Sequence, residues 1–181
     1  MKFEPDKESS FHEEIFGGAV PKNYFPAVEK GFFEALQQGL LAGFPVIGVK
    51  ATLLDGKYHP VDSNEMAFKM AAILAFKDAY NKCQPIILEP IFKITINVSG
   101  DYIGDVLSDL NTKRGKIQNM NDLGGGDQEI VALVPEAEIL NYATELKAIT
   151  QSRGFFNREF YGYEEVPQYL RDKVIADNKL N

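Results

Sequence analysis

Few residues of this chain can do chemistry, and their spacing assembles no familiar catalytic set. There are two histidines, His12 and His59, and one cysteine, Cys83. Neither histidine has a second strong ligand at a metal-binding interval. No phosphate loop, dinucleotide fingerprint or nucleophile elbow is present. The Gly124-Gly125-Gly126 run is followed by a strand-like segment and not by a helix, so it reads as a hairpin tip. The acidic pairs Glu13-Glu14 and Glu164-Glu165 are sequence neighbours and read as solvated surface. Cys83 follows a helical pattern in a polar stretch and reads as structural. No catalytic, metal or cofactor-binding residue is therefore expected in this chain.

One loop has a usable set of groups. Lys57, Tyr58, His59 and Pro60 stand between a strand that ends at Asp55-Gly56 and a helix that begins after Asp62. They should form an exposed tip, with a cation for phosphate and rings for stacking on a base. By residue type alone, an incidental surface histidine is the readier explanation.

The elements that must carry this loop follow from turn signals and periodicity. Gly17-Gly18-Ala19-Val20-Pro21 is a turn, and Pro26 opens a helix with Val28, Phe32, Ala35 and Leu36 on one face, stopping near Gly39. Pro45 to Leu54 reads as a strand. Asp62 is the expected N-cap of the next helix, with Glu65 three residues later completing a capping box. That helix, to about Asn81, is apolar round most of its circumference and should be buried on more than one side.

After Pro90 the grammar changes to strand, helix, Arg-Gly stop, strand, and then repeats. Ile91–Val98 is a strand, 101–113 a helix closed by Arg114-Gly115, and Lys116 starts a strand. Ile130–Val134 is a strand, and a helix opening at Pro135 is closed by Arg153-Gly154. The order β-α-β-β-α-β is the ferredoxin-like arrangement. A final helix, Pro167 to Ala176, can dock a face bearing Tyr169, Leu170, Lys173 and Val174.

The 181 residues suffice for two small domains, and no apolar run is long enough to span a membrane. A lone cysteine forms no intrachain disulfide, in keeping with a cytoplasmic location. The net charge is −7, with 9 Lys and Arg against 12 Asp and Glu in residues 1–89 and 10 against 14 in 90–181. Neither half has the basic excess of a general nucleic-acid binder.

Collinear segments nonetheless resemble one family. The run Gly17 to Gly31, Leu41-Ala42-Gly43-Phe44-Pro45-Val46 and Tyr58 to Lys69 are similar to domain IV of elongation factor G. Leu88-Glu89-Pro90-Ile91 looks like the junction into domain V. Gly104 to Leu110 with Lys113-Arg114-Gly115, Tyr142 to Leu146, Thr150 to Gly154 and Glu165-Val166-Pro167 resemble domain V. The resemblance implies an α+β fold of two domains, a ribosomal protein S5 domain 2-like unit (residues 1–90) followed by a ferredoxin-like unit (residues 91–164). The first would contain a left-handed crossover, and a C-terminal helix (165–181) would pack back on it.

The same resemblance implies a translational GTPase that promotes tRNA–mRNA translocation. Its partners would be the ribosome's rRNA together with tRNA and mRNA, and no membrane. Lys57, Tyr58, His59 and Pro60 would form the tip at the decoding region, and Lys113, Arg114 and Arg153 are candidate rRNA contacts. As helix C-terminal cations, those three also have a structural explanation. The GTPase domain is not in this sequence, so no enzymatic activity is expected of it; GTP and Mg would belong to a longer parent. A strand upstream of Lys2 is also missing from the family pattern, so an unpaired edge that favours self-association is expected. Two other readings stay open: a small acylphosphatase-type enzyme, disfavoured by the lack of an arginine–asparagine phosphate site in 98–104, and a free-standing RNA-binding module, disfavoured by the acidic balance.

Overall fold

The computed structural model describes residues 1–179. The chain divides into two units, Met1–Pro85 with the C-terminal helix, and Ile86–Pro167.

In the first unit, β1 (Lys2–Pro5) and β2 (Ser10–Glu13) precede α1 (Phe25–Gln37), β3 (Val49–Leu53) and α2 (Glu65–Lys82). The sheet order is β1-β3-β2, with β1 antiparallel and β2 parallel to β3. Because β2 and β3 are parallel, the chain leaves both at the same end. From there it enters α1 and α2 through residues 14–24 and 54–64. Pro26 sits in the first turn of α1, where its missing N–H costs nothing. Val28, Phe32, Ala35 and Leu36 are buried as the spacing predicts. Gly31 is required between the helices, since a methyl group there would collide with the Lys69 carbonyl of α2.

Three local expectations need correction here. The strand expected over Pro45 to Leu54 shrinks to β3, because Gly48 turns the chain at φ +71° and β1 and β2 are only four residues each. The cap of α2 is Asn64 and not Asp62: its side-chain oxygen accepts from the Ala67 N–H at 2.8 Å. Glu65 is then the first helical residue, too early to close a capping box. Nor is α2 buried on several sides. Phe68, Ala72 and Phe76 face inward, while Met66, Met70 and Leu74 remain 63%, 45% and 62% exposed. The inward residues form two clusters. Val20, Val28, Leu53, Phe68 and Ala72 pack toward the loop end, and Phe32, Ala35, Leu36, Ala51 and Phe76 pack in the other.

The second unit runs β4 (Leu88–Ser99), α3 (Ile103–Thr112), β5 (Lys116–Gly124), β6 (Asp127–Pro135), α4 (Tyr142–Ile149) and β7 (Phe155–Glu165). Its sheet order is β5-β6-β4-β7 with every neighbouring pair antiparallel, which is the split βαβ fold. Ile94, Ile96, Val98, Ile130, Ala132 and Val134 line the face that packs on Val106, Leu110, Tyr142 and Leu146. The hairpin turns at Gly124–Gly126, all at positive φ. Both helices start later than expected, each after a short 3-10 turn, Gly100–Tyr102 and Glu136–Glu138.

The unit boundary precedes the expected one at residues 90 and 91. Leu88, Glu89 and Pro90 already pair with Glu165, Glu164 and Tyr163 of β7. Pairing with β6 begins only at Ile91, so Pro90 has a single neighbouring strand and its missing N–H is tolerated there. The two Arg-Gly stops also differ. Arg114 takes the left-handed conformation at φ +57°, whereas Gln151 and Ser152 take it in the second copy. There Thr150 closes the helix, its hydroxyl donating to the Leu146 carbonyl at 2.7 Å and accepting from the Gly154 N–H at 2.8 Å.

Helix α5 (Gln168–Lys179) groups with the first unit. Arg171 donates to the Pro85 carbonyl at 2.9 Å, and Asn178 to the Ala42 carbonyl at 2.6 Å. Its docking face is rotated from the one expected: Tyr169 is 74% exposed and Lys173 is exposed, while Leu170 and Val174 are half-buried.

Candidate nucleic-acid interface

The 54–64 loop leaves β3 at the end where both parallel strands finish, beside the N-termini of α1 and α2. The partial positive charge of two helix starts is therefore directed toward this end of the unit. Lys57 is exposed and forms no ion pair.

His59 is fixed by its own loop. Its backbone N–H donates to the Ser63 hydroxyl at 2.9 Å, and its carbonyl accepts from the Ser63 N–H at 3.0 Å. The ring Nδ1 accepts from the Val61 N–H at 3.4 Å, with Asp62 3.6 Å away. The His59 side chain is 66% exposed, and its Nε2 has no partner within the chain.

Behind the loop stands an aromatic ladder. Tyr58 packs on Tyr24 with ring centroids 5.8 Å apart, and Tyr24 stacks on Phe68 at 4.6 Å. The tip is thus braced by one ring from the turn just before α1 and one from the first turn of α2. Tyr24 is a positioning residue that sequence reading missed; its place just before Pro26, at a helix start, was the available signal. Pro60 is exposed at the tip with Tyr58 and His59.

The three cations of the second unit do not converge. Arg114 donates from Nη1 and Nη2 to both oxygens of Glu89, at 2.6 and 2.9 Å, and from Nε to Glu138 at 3.0 Å. This fork, with its guanidinium only 19% exposed, holds its proton more firmly than usual because Glu89 and Glu138 accept from it. Lys113 lies 2.8 Å from Glu145 and 3.7 Å from Asp109, and the Glu145 contact raises its pKa. Burial in turn pushes the Asp109 carboxyl up, against the pull of Lys113. The Tyr142 hydroxyl, fully buried beside these carboxylates, is raised too, chiefly by desolvation. Both expected contacts are thus engaged within the fold.

Arg153 differs: it is exposed and forms no ion pair. It lies by Asn97 and Asp127, at the end of the sheet where β4 finishes. Arg114 is held at Glu89, near where β4 begins, and the intervening strand spans roughly 26 Å at the usual rise per residue. Among the described residues no group of three His, Cys, Asp or Glu side chains could hold a metal ion. No helix among them is long and apolar enough to cross a membrane.

The fold and these surfaces define a two-domain α+β protein with a braced loop tip on the first unit and a split βαβ second unit. Residues 1–84 match the family described as Elongation factor G, domain IV, and residues 86–174 match Elongation factor G C-terminus. The chain belongs to the elongation factor G family, of which it carries domain IV and the C-terminal domain. It is also similar to a crystal structure of a protein from Thermus thermophilus, with a TM-score of 0.91 and 40% identity. That similarity covers 99% of this chain but 27% of the other, so the chain spans about a quarter of the length of that relative.

Proposed function

We propose that this chain is the ribosome-facing part of a translational GTPase that promotes tRNA–mRNA translocation, with its first unit reaching the decoding region. The observation that carries this reading is the 54–64 loop. An unpaired Lys57 and an exposed His59 flank Tyr58, which rests on a ladder of rings at the end toward which two helix starts point. Such a tip suits RNA backbone and unstacked bases. The action is mechanical: the chain supplies contacts, while GTP, Mg and hydrolysis belong to the rest of a longer cytoplasmic protein.

The test is co-sedimentation with purified ribosomes at low and high salt, comparing wild type with His59→Ala. Salt-sensitive pelleting that weakens several-fold in the variant is expected. Salt-independent pelleting, or identical pelleting of the two proteins, would count against a tip that reads RNA.

A further inference from the structure

We infer that Asp55 and Gly56 form a site at which this chain modifies itself. The Gly56 amide closes on the Asp55 carboxyl to give a cyclic imide, and water reopens the ring to isoaspartate. The pair stands immediately before Lys57, so the change falls at the root of the 54–64 loop.

Closure needs two conditions at one place. An Asp or Asn side chain must be folded back on the next main-chain N–H, and the next residue must carry no side chain in the way. Asp6, Asp55 and Asn119 meet the first condition: their Oδ1 atoms accept from the N–H groups of Lys7 at 2.7 Å, Gly56 at 2.8 Å and Met120 at 2.9 Å. Lys7 and Met120 place a Cβ beside the attacking nitrogen, whereas Gly56 does not. Asp55-Gly56 is the single Asp-Gly pair in the sequence, which has no Asn-Gly. Asp62-Ser63 fails in the opposite way. Serine is small, but the Ser63 N–H donates to the His59 carbonyl at 3.0 Å and is engaged there.

The surroundings leave the pair free to react. β3 ends at Leu53, so no strand ladder holds the Gly56 amide, and Asp55 is exposed and forms no ion pair. In the first step the Gly56 nitrogen bonds to Asp55 Cγ, and the hydroxyl of the protonated carboxyl leaves as water with the amide proton. In the second, one water adds back to either imide carbonyl. Addition at Cγ restores aspartate. Addition at the former main-chain carbonyl leaves the chain running through Cβ and Cγ, one methylene longer, with a free carboxylate on Cα. Gly56 has no room to take up the extra carbon, since a methyl group there would collide with Val20, a buried member of the core. The displacement therefore passes forward to Lys57–Ser63, where the His59 N–H bond to the Ser63 hydroxyl closes the loop.

The experiment is ageing of the full chain at physiological temperature in water enriched in heavy oxygen, followed by peptide mass spectrometry with fragmentation that tells isoaspartate from aspartate. Isoaspartate carrying heavy oxygen is expected at Asp55 at a level at least ~10-fold above Asp6, Asp62 and Asn119. Asp55→Glu should abolish it, because the larger ring closes far more slowly. Asp55→Asn, which releases ammonia in place of water, should raise it. Amide exchange at His59 and Ser63 should quicken in the aged wild type and stay unchanged in aged Asp55→Glu. Heavy oxygen absent from Asp55, or spread evenly over the four positions, would overturn the site. Isoaspartate at Asp55 with His59 and Ser63 exchange unmoved would overturn its action on the loop. Neither readout uses ribosomes, so both outcomes are independent of the proposed function.

Discussion

In the first unit Lys57 stands on an exposed loop without a carboxylate in reach, whereas in the second Arg114 is gripped by Glu89 and Glu138. Both are cations that follow a regular element, and both lie in residues that match elongation factor G domains. The difference lies in what the chain does next. After β3 it enters a long loop at the end of the sheet, and no strand returns to bring an acid alongside. After α3 it turns at once into β5, and there Glu89 from the start of β4 and Glu138 from the 3-10 turn after β6 meet Arg114. Arg114 is held by acids that the fold brings to it, whereas Lys57 keeps its charge unpaired.

The sharpest way to break that comparison is Arg114→Leu. Glu89 is 14% exposed and would lose both of its hydrogen bonds, leaving a buried charge uncompensated. A loss of roughly 3 kcal/mol in unfolding free energy is expected, measured by urea denaturation. If stability were unchanged while ribosome binding fell, Arg114 would be a contact after all, and the two cations would be alike.

The ladder behind the tip comes next. Tyr24→Ala removes a half-buried ring that touches both Tyr58 and Phe68 and should cost about 2 kcal/mol. Because it also unseats Tyr58, ribosome binding should fall at temperatures where the chain is still folded. Tyr24→Phe keeps the rings and should restore both properties. Failure of the phenylalanine to restore binding would mean that the hydroxyl, and not the stack, carries the effect.

How much of this was legible in the sequence follows from the range of each interaction. Helices α1 and α3, the split βαβ order and the 124–126 hairpin rest on local periodicity and turn residues, which a single sequence carries. The tip loop was legible as well, since Gly56 and the start of α2 bracket it. The fate of Arg114 was not, because its partners lie 25 and 24 residues away and only the fold brings them together. The outward Met66, Met70 and Leu74 misled in the opposite sense, since an apolar residue does not say whether anything covers it.

A smaller effect sits beside Arg114. Burial raises the Asp109 carboxyl, so the native chain holds that proton more tightly than the unfolded chain does. Such a group stabilises the fold below the ordinary aspartate range, and the contribution is lost as pH rises through the raised value. Lys113, Glu145 and Tyr142 face it from α3 and α4 and set where that loss is complete. Asp109→Asn should flatten the fall in stability just above the ordinary aspartate range, followed as the urea midpoint against pH. An unchanged slope would show that another carboxyl titrates there.

The smallest expected change in stability belongs to Lys57→Ala, and that smallness is its value. An exposed, unpaired loop lysine should alter the urea midpoint by less than about 0.5 kcal/mol. Its effect should appear in ribosome binding alone, as weaker pelleting and a shallower dependence on salt, because one fewer counterion is released. Lys113→Ala supplies the contrast: its ammonium is spent on Glu145 and Asp109, so stability should fall while the salt dependence of binding stays that of wild type. If Lys57→Ala lowered stability instead, the loop would be part of the core's support. If Lys113→Ala flattened the salt dependence, a paired cation would still be reaching RNA, and the division between consumed and available charges would not hold.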